Sequence, residues 1–240
     1  MNVFLRPKSA PYSLRMLNLF GSAIIAYWPL WEASGTVAND ISGHSYNGSY
    51  TGVTLGQPGI GDGRTCPSFD GINDLVNVYS AGLAGVFDGS EGSVLCWARV
   101  SPSSIWTDGL YHVFVRLGVD GNNYLLLYKS PTNNYISLDY RAGGTLKSAS
   151  TTQFGGSTAW FHIAVTWSKS NDQYKAYANG AQIGSTLTGL GTWSSSLAAA
   201  NSVLGSNSSS GEFPWSGWLA HAMVLNRVTT STEIATAARV

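Results

Sequence analysis

Charge is what this chain has least of: Asp, Glu, Lys and Arg make up 11% of its 240 residues, and 13 basic side chains balance 13 acidic ones. With no net charge and no basic cluster beyond the first residues, it lacks the electrostatic footprint of a nucleic-acid binder. Cysteine is scarcer still. Cys66 and Cys96 are the only two, which is no disulfide framework, and neither C-x-x-C nor a Cys/His cluster with zinc spacing exists. Both lie in apolar strand-like runs that suit buried thiols as well as a bridge, and free thiols are expected. Long apolar runs are missing too. The nearest, residues 16–31 behind Arg6, Lys8 and Arg15, imitates a signal peptide but is interrupted by Asn18, Gly21 and Ser22. Neither a cleaved signal nor a membrane span is expected.

Catalytic motifs are equally absent. No two of the thirteen acids stand at positions i and i+2, so the paired carboxylates that a glycosidase projects from one strand are missing. A pair from different strands, such as Glu91 with Asp139, has no spacing to support it. There is no G-x-S-x-G elbow, P-loop, dinucleotide fingerprint or H-E-x-x-H, and His44, His112, His162 and His221 share no metal-ligand spacing. An enzyme is not expected.

What is present is the grammar of β-structure. Residues 160–167 alternate strictly, Phe161, Ile163, Val165 and Trp167 against Trp160, His162, Ala164 and Thr166, the period of a strand with one face in a core. Asn179-Gly180 then separates two short alternating runs, as a tight hairpin requires. Similar runs recur at 24–31, 66–69, 75–79, 93–100, 111–117, 124–128, 135–140, 174–178 and 218–225, with Gly, Asn, Ser and Pro between them. That spacing predicts two packed antiparallel sheets, almost free of helix before Thr229. One short helix is expected at the end, where residues 231–238 follow a Thr229-Thr230 cap. Residues 1–21 carry three positive charges, no acid and two prolines. They read as an extended arm or linker whose loss would spare the sandwich, with 22–240 as one domain.

These pieces resemble the laminin-G-like, pentraxin-like branch of the concanavalin A-type jelly rolls. The W-x-H-x-A of Trp160 to Ala164 and the Y-x-N-G of Tyr177 to Gly180 carry the likeness. So do Tyr27-Trp28 with Glu32, the Asp40 and Asn47-Gly48 turns, Phe69-Asp70-Gly71 with Asp74, Trp97, Gly217, Asn226-Arg227 and Glu233-Ile234. The resemblance implies an all-β, two-sheet antiparallel jelly-roll sandwich with the N-terminal arm and C-terminal helix. It makes His162 a structural hydrogen-bonding residue. Calcium is the one cofactor it suggests, with Asp40, Asp70 and Asp74 as oxygen ligands. Ala220 and His221 stand where the family often has acids, so no calcium is expected, and these acids read better as Asx-turn residues.

Such domains mostly bind and seldom catalyse. Glycan stacking would fall to Trp106 and Trp193, which lie in polar contexts, with Asn122 and Asn134 as polar edges. The resemblance together with the arm implies a non-catalytic structural or recognition protein on a phage virion surface, head-decorating or tail-associated. Its partners would be other virion proteins or further copies of the chain, docked through Arg6, Lys8, Tyr12 and Arg15, and a cell-surface glycan. The alternative is a carbohydrate-binding, lectin-like module of a secreted, extracellular protein; a glycoside hydrolase or lyase is the remote third.

Overall fold

The computed structural model describes residues 10–240. Its strands in chain order are β1 (Ile24–Trp28), β2 (Val37–Ala38), β3 (Gly48–Thr51), β4 (Thr54–Pro58), β5 (Thr65–Asp70), β6 (Leu75–Asn77), β7 (Glu91–Val100), β8 (His112–Gly118), β9 (Tyr124–Lys129), β10 (Ile136–Ala142), β11 (Thr145–Thr151), β12 (Phe161–Ser168), β13 (Gln173–Ala178), β14 (Ala181–Leu187), β15 (Ser202–Leu204) and β16 (Ser216–Leu225). The helices are α1 (Tyr12–Phe20), α2 (Ala81–Val86) and α3 (Ser231–Ala237). Two antiparallel sheets result. One is ordered β14-β13-β12-β7-β16-β5-β4 with β1 also on β16, the other β11-β10-β9-β8-β15-β6-β3-β2.

The alternation in β12 sets the sandwich. Ile163 pairs with Cys96 and Val165 with Val94, and Phe161, Ile163, Val165 and Trp167 all lie in the core between the sheets. The opposite face of β12 is buried as well. His162 and Ala164, beside Trp97 and Leu95 of β7, are covered by α1 and α3, so this sheet has an apolar layer on each side. We call it the covered sheet. The Asn179-Gly180 turn joins β13 and β14 with φ of 47° and 85°, both in the left-handed region that a two-residue hairpin needs. A Cβ on Gly180 would stand 2.9 Å from Ala235 Cα, so the glycine also lets α3 close against the turn. Thr230 and Glu233 form a reciprocal capping box at the start of α3.

The arm is the main correction to the sequence reading. Residues 12–20 are not extended but helical, because Tyr12, Met16 and Phe20 recur every four residues and form one buried face on the covered sheet. The Tyr12 hydroxyl donates to Ala237 O at 2.7 Å and accepts from Trp97 Nε1 at 3.0 Å. Arg15 donates to the Arg239 carbonyl. Arg6 and Lys8 lie outside the described residues. A further helix, α2, interrupts the stretch expected to be free of them, with Ser80 Oγ accepting from Leu83 N–H at 3.0 Å as its cap. Among the described residues no helix is long and apolar enough to cross a membrane. Cys66 and Cys96 are free and buried, and burial pushes both thiols up to about 12.

Candidate functional site

With α1 and α3 both on the covered sheet, the outer face of the other sheet is, among the described residues, the one left without a helical layer. We call that sheet the open sheet. Strand alternation decides what it shows. Leu125, Leu127, Leu138 and Tyr140 point into the core, so Tyr124, Leu126 and Tyr128 of β9 and Asp139 and Arg141 of β10 point outward. At one end of this face three rings touch in a chain. Tyr111 lies between Tyr128 and Phe213, with centroids 5.5 and 5.3 Å away, and Tyr111 and Phe213 are 42% and 49% exposed. Exposed, connected aromatic surface of this kind marks a binding site more often than a core remnant.

A charged clamp holds the platform. Lys129 Nζ donates to Asp108 Oδ1 at 2.6 Å and to Leu110 O at 3.2 Å. His112 bridges Asp108 Oδ2 at 2.6 Å and the Pro214 carbonyl at 2.7 Å. The loops that carry Tyr111 and Phe213 are thereby tied to β8 and β9. Burial pushes the Asp108 carboxyl up, but Lys129, the Leu110 N–H and His112 win and hold it below the usual carboxylate range. Phe213 itself has a φ of 49°, a conformation that a bulky residue adopts only where its surroundings impose it.

Beyond the rings, polar groups sit in register across the face: Arg116 opposite Leu126, Leu126 opposite Asp139, Asp139 opposite Ser148. The Arg116 guanidinium stacks 4.7 Å from the Tyr124 centroid and donates to Asn207 Oδ1 and Asp120 O. Asp139 is 5% exposed; its Oδ2 accepts from the Tyr128 hydroxyl at 3.3 Å, and the Ser148 side chain lies beside the carboxyl across the β10–β11 pair. Burial pushes its carboxyl up.

The profile of the concanavalin A-like lectin/glucanases superfamily, in its Laminin_G_3 form, matches residues 47–235. The chain belongs to that superfamily. Comparison with curated proteins finds no match. Among solved structures, the chain is similar to domain 4 of the Geobacillus stearothermophilus arabinanase AbnA in complex with arabinotriose, with 17% identity, TM-score 0.64, and 90% of this chain and 98% of that one covered. It is also similar to the carbohydrate-binding module CBM40 of a Ruminococcus gnavus IT-sialidase bound to α2,3 sialyllactose, with 17% identity, TM-score 0.57, and 72% and 95% covered. A third is the binding domain of botulinum neurotoxin serotype D, with 16% identity and TM-score 0.63, where 90% of this chain spans 51% of that one. At these identities the likeness is one of fold.

The residues that the sequence marks as a glycan platform are scattered in the structure. Trp106 is fully buried, its ring against Phe161 and its Nε1 donating to Ser157 O at 2.7 Å. This corrects the expectation of an exposed platform: the polar residues around it form a short 3-10 turn that tucks the indole into the sandwich end. Asn134 sits beside it, donating its N–H to Trp106 O. Trp193 is half-buried at the other end of β10, stacked on Tyr140 at 6.1 Å, near the exposed Asn122. Seven residues of β10 separate the two places, roughly 24 Å of strand, so they do not form one site. Tyr111, Tyr128 and Phe213 went unnoticed, because residues 124–128 are apolar or aromatic throughout and leave no polar face to mark the outward side.

Other chemistry-bearing residues are committed structurally. Asp40 accepts from Tyr27 N, Ser42 N, Ser42 Oγ and Tyr46 N, which fills the roughly four acceptor positions of a carboxylate. Asp70 accepts from Ile72 N, and Asp74 from Asp70 N, both in turns. His221 links Asp62 Oδ2 at 3.1 Å to the Tyr27 hydroxyl at 2.7 Å, but Tyr27 is fully buried. His162 hydrogen-bonds through its backbone to Asn179, while both ring nitrogens lack partners and the ring packs edge-on against Trp97. Glu91 shares the parity of Leu95 and Trp97 on the outer face of the covered sheet, whereas Asp139 lies on the outer face of the open one. The core stands between them, so they cannot flank one glycosidic bond.

Proposed function

We propose that this chain is a non-catalytic recognition domain that binds glycans on the open sheet, at the Tyr111–Tyr128–Phe213 platform. The observation that carries the reading is the connected row of exposed rings beside partly satisfied polar groups, on the one sheet face that α1 and α3 leave free. Aromatic faces stack on the apolar sides of sugar rings, and a few convergent polar groups fix orientation. Carbohydrate bound to two neighbours of the same fold supports it. Binding proceeds without calcium, so chelator leaves it unchanged.

The lectin-like module is preferred over virion display for a specific reason. Tyr12 and Arg15, half of the arm assigned to docking, are engaged within their own chain. Virion display therefore rests on the family resemblance alone. The test is an oligosaccharide array followed by calorimetry on the wild type, Tyr111→Ala, Phe213→Ala and Trp193→Ala. Binding is expected to vanish in the first two variants and persist in the third. Loss confined to Trp193→Ala would move the site to the other end of β10, and an array with no ligand would overturn the reading.

A further inference from the structure

Among the described residues, two buried polar atoms on the open face have no hydrogen-bond partner: Asp139 Oδ1, an acceptor, and Arg116 Nε, a donor. Both residues are more than nine-tenths buried, where an unmet polar group keeps the full cost of its lost hydration. They flank Leu126 in one cross-strand row, roughly 10 Å apart by the spacing of two strands. The cations nearby are already engaged. Arg116 is held by Tyr124, Asn207 and Asp120, Arg141 Nε donates to Gly144 O, and Lys129 is held by Asp108 and Leu110.

Resting on the glycan-binding reading above, we infer that the open face selects uncharged saccharides, whose hydroxyls meet Asp139 Oδ1 and Arg116 Nε as half-buried Leu126 and Arg141 turn aside. A hydroxyl both donates and accepts, so one uncharged chain longer than a single ring satisfies both orphaned atoms. A sugar carboxylate would satisfy the donor alone. It would also bring a second negative charge to Asp139, a repulsion strengthened by burial, while the Arg116 charge is already faced by Asp120 and Glu212.

The test compares lactose with α2,3 sialyllactose, which adds one acidic sugar to the same core, and includes arabinotriose and an array of neutral and acidic oligosaccharides. Neutral ligands are expected to bind at least tenfold more tightly than their acidic counterparts. Asp139→Asn should weaken neutral binding at least fivefold without lowering the melting temperature, and Asp139→Glu should retain part of it. Preferential binding of acidic sugars, lost in Tyr111→Ala, would overturn the inference and leave the face as the glycan site. Unchanged affinity in Asp139→Asn would overturn it too. No binding to any array member would overturn the glycan reading itself, and this inference with it.

Discussion

Replacing Met16 by alanine tests whether α1 belongs to the domain. Its side chain is fully buried in the layer it shares with Tyr12, Phe20, Trp97 and Met223. A core Met→Ala change costs about 2–5 kcal/mol, from lost transfer energy plus the cavity left behind. For a chain of this size each kcal/mol moves the melting temperature by about 2–4 °C. Met16→Ala should therefore melt about 5–15 °C lower by circular dichroism or calorimetry. Leu14, on the same helix but 46% exposed, supplies the control: Leu14→Ala should stay within about 0.5 kcal/mol of wild type. A Met16→Ala protein melting within about 1 °C of wild type would show that the helix is a dispensable arm after all.

Asp139→Asn should raise stability at neutral pH. Burial holds the folded carboxyl above its ordinary 3.8, so its contribution is fully present below that value and lost as pH rises through the folded pKa; the amide removes this loss, and a lower melting temperature at pH 7 would contradict it. His162 works in the opposite direction: burial, then the charge on His221, lower it from 6.5 to about 3. The stability of its neutral form is thus present above 6.5 and lost as pH falls toward 3, so His162→Phe should flatten the acid limb of melting temperature against pH. A Cβ at Gly89 would meet the Trp193 ring at 2.0 Å, so Gly89→Ala should expel the indole and red-shift tryptophan fluorescence; an unchanged spectrum would place Trp193 elsewhere.

The strands legible in the sequence are those buried on at least one regular face, such as β7, β12 and β16. The strands that the sequence does not mark, β2, β3, β4, β11 and β15, are short or edge strands. In β11 the exposed alternation of Thr, Lys and Ser resembles a loop. The helix α1 was hidden because its four-residue spacing lies between prolines and basic residues that suit a tail. Neither Trp106 nor the tyrosine face was readable from neighbours in sequence. Whether a ring is sealed or presented depends on which sheet the helices cover, and that is decided by partners up to 225 positions away, as with Tyr12 and Ala237.

Ala10, Tyr12, Arg15 and Val240 line one cleft of about 350 Å³ beside Asp62, so the first and last described residues emerge together on the helix-covered side. Residues 10 and 240 therefore share a single pole of the sandwich. The row of Tyr111, Tyr128 and Phe213 lies on the opposite sheet face from that pole. The sandwich thus divides into a side where the described chain enters and leaves and a side that carries the exposed rings.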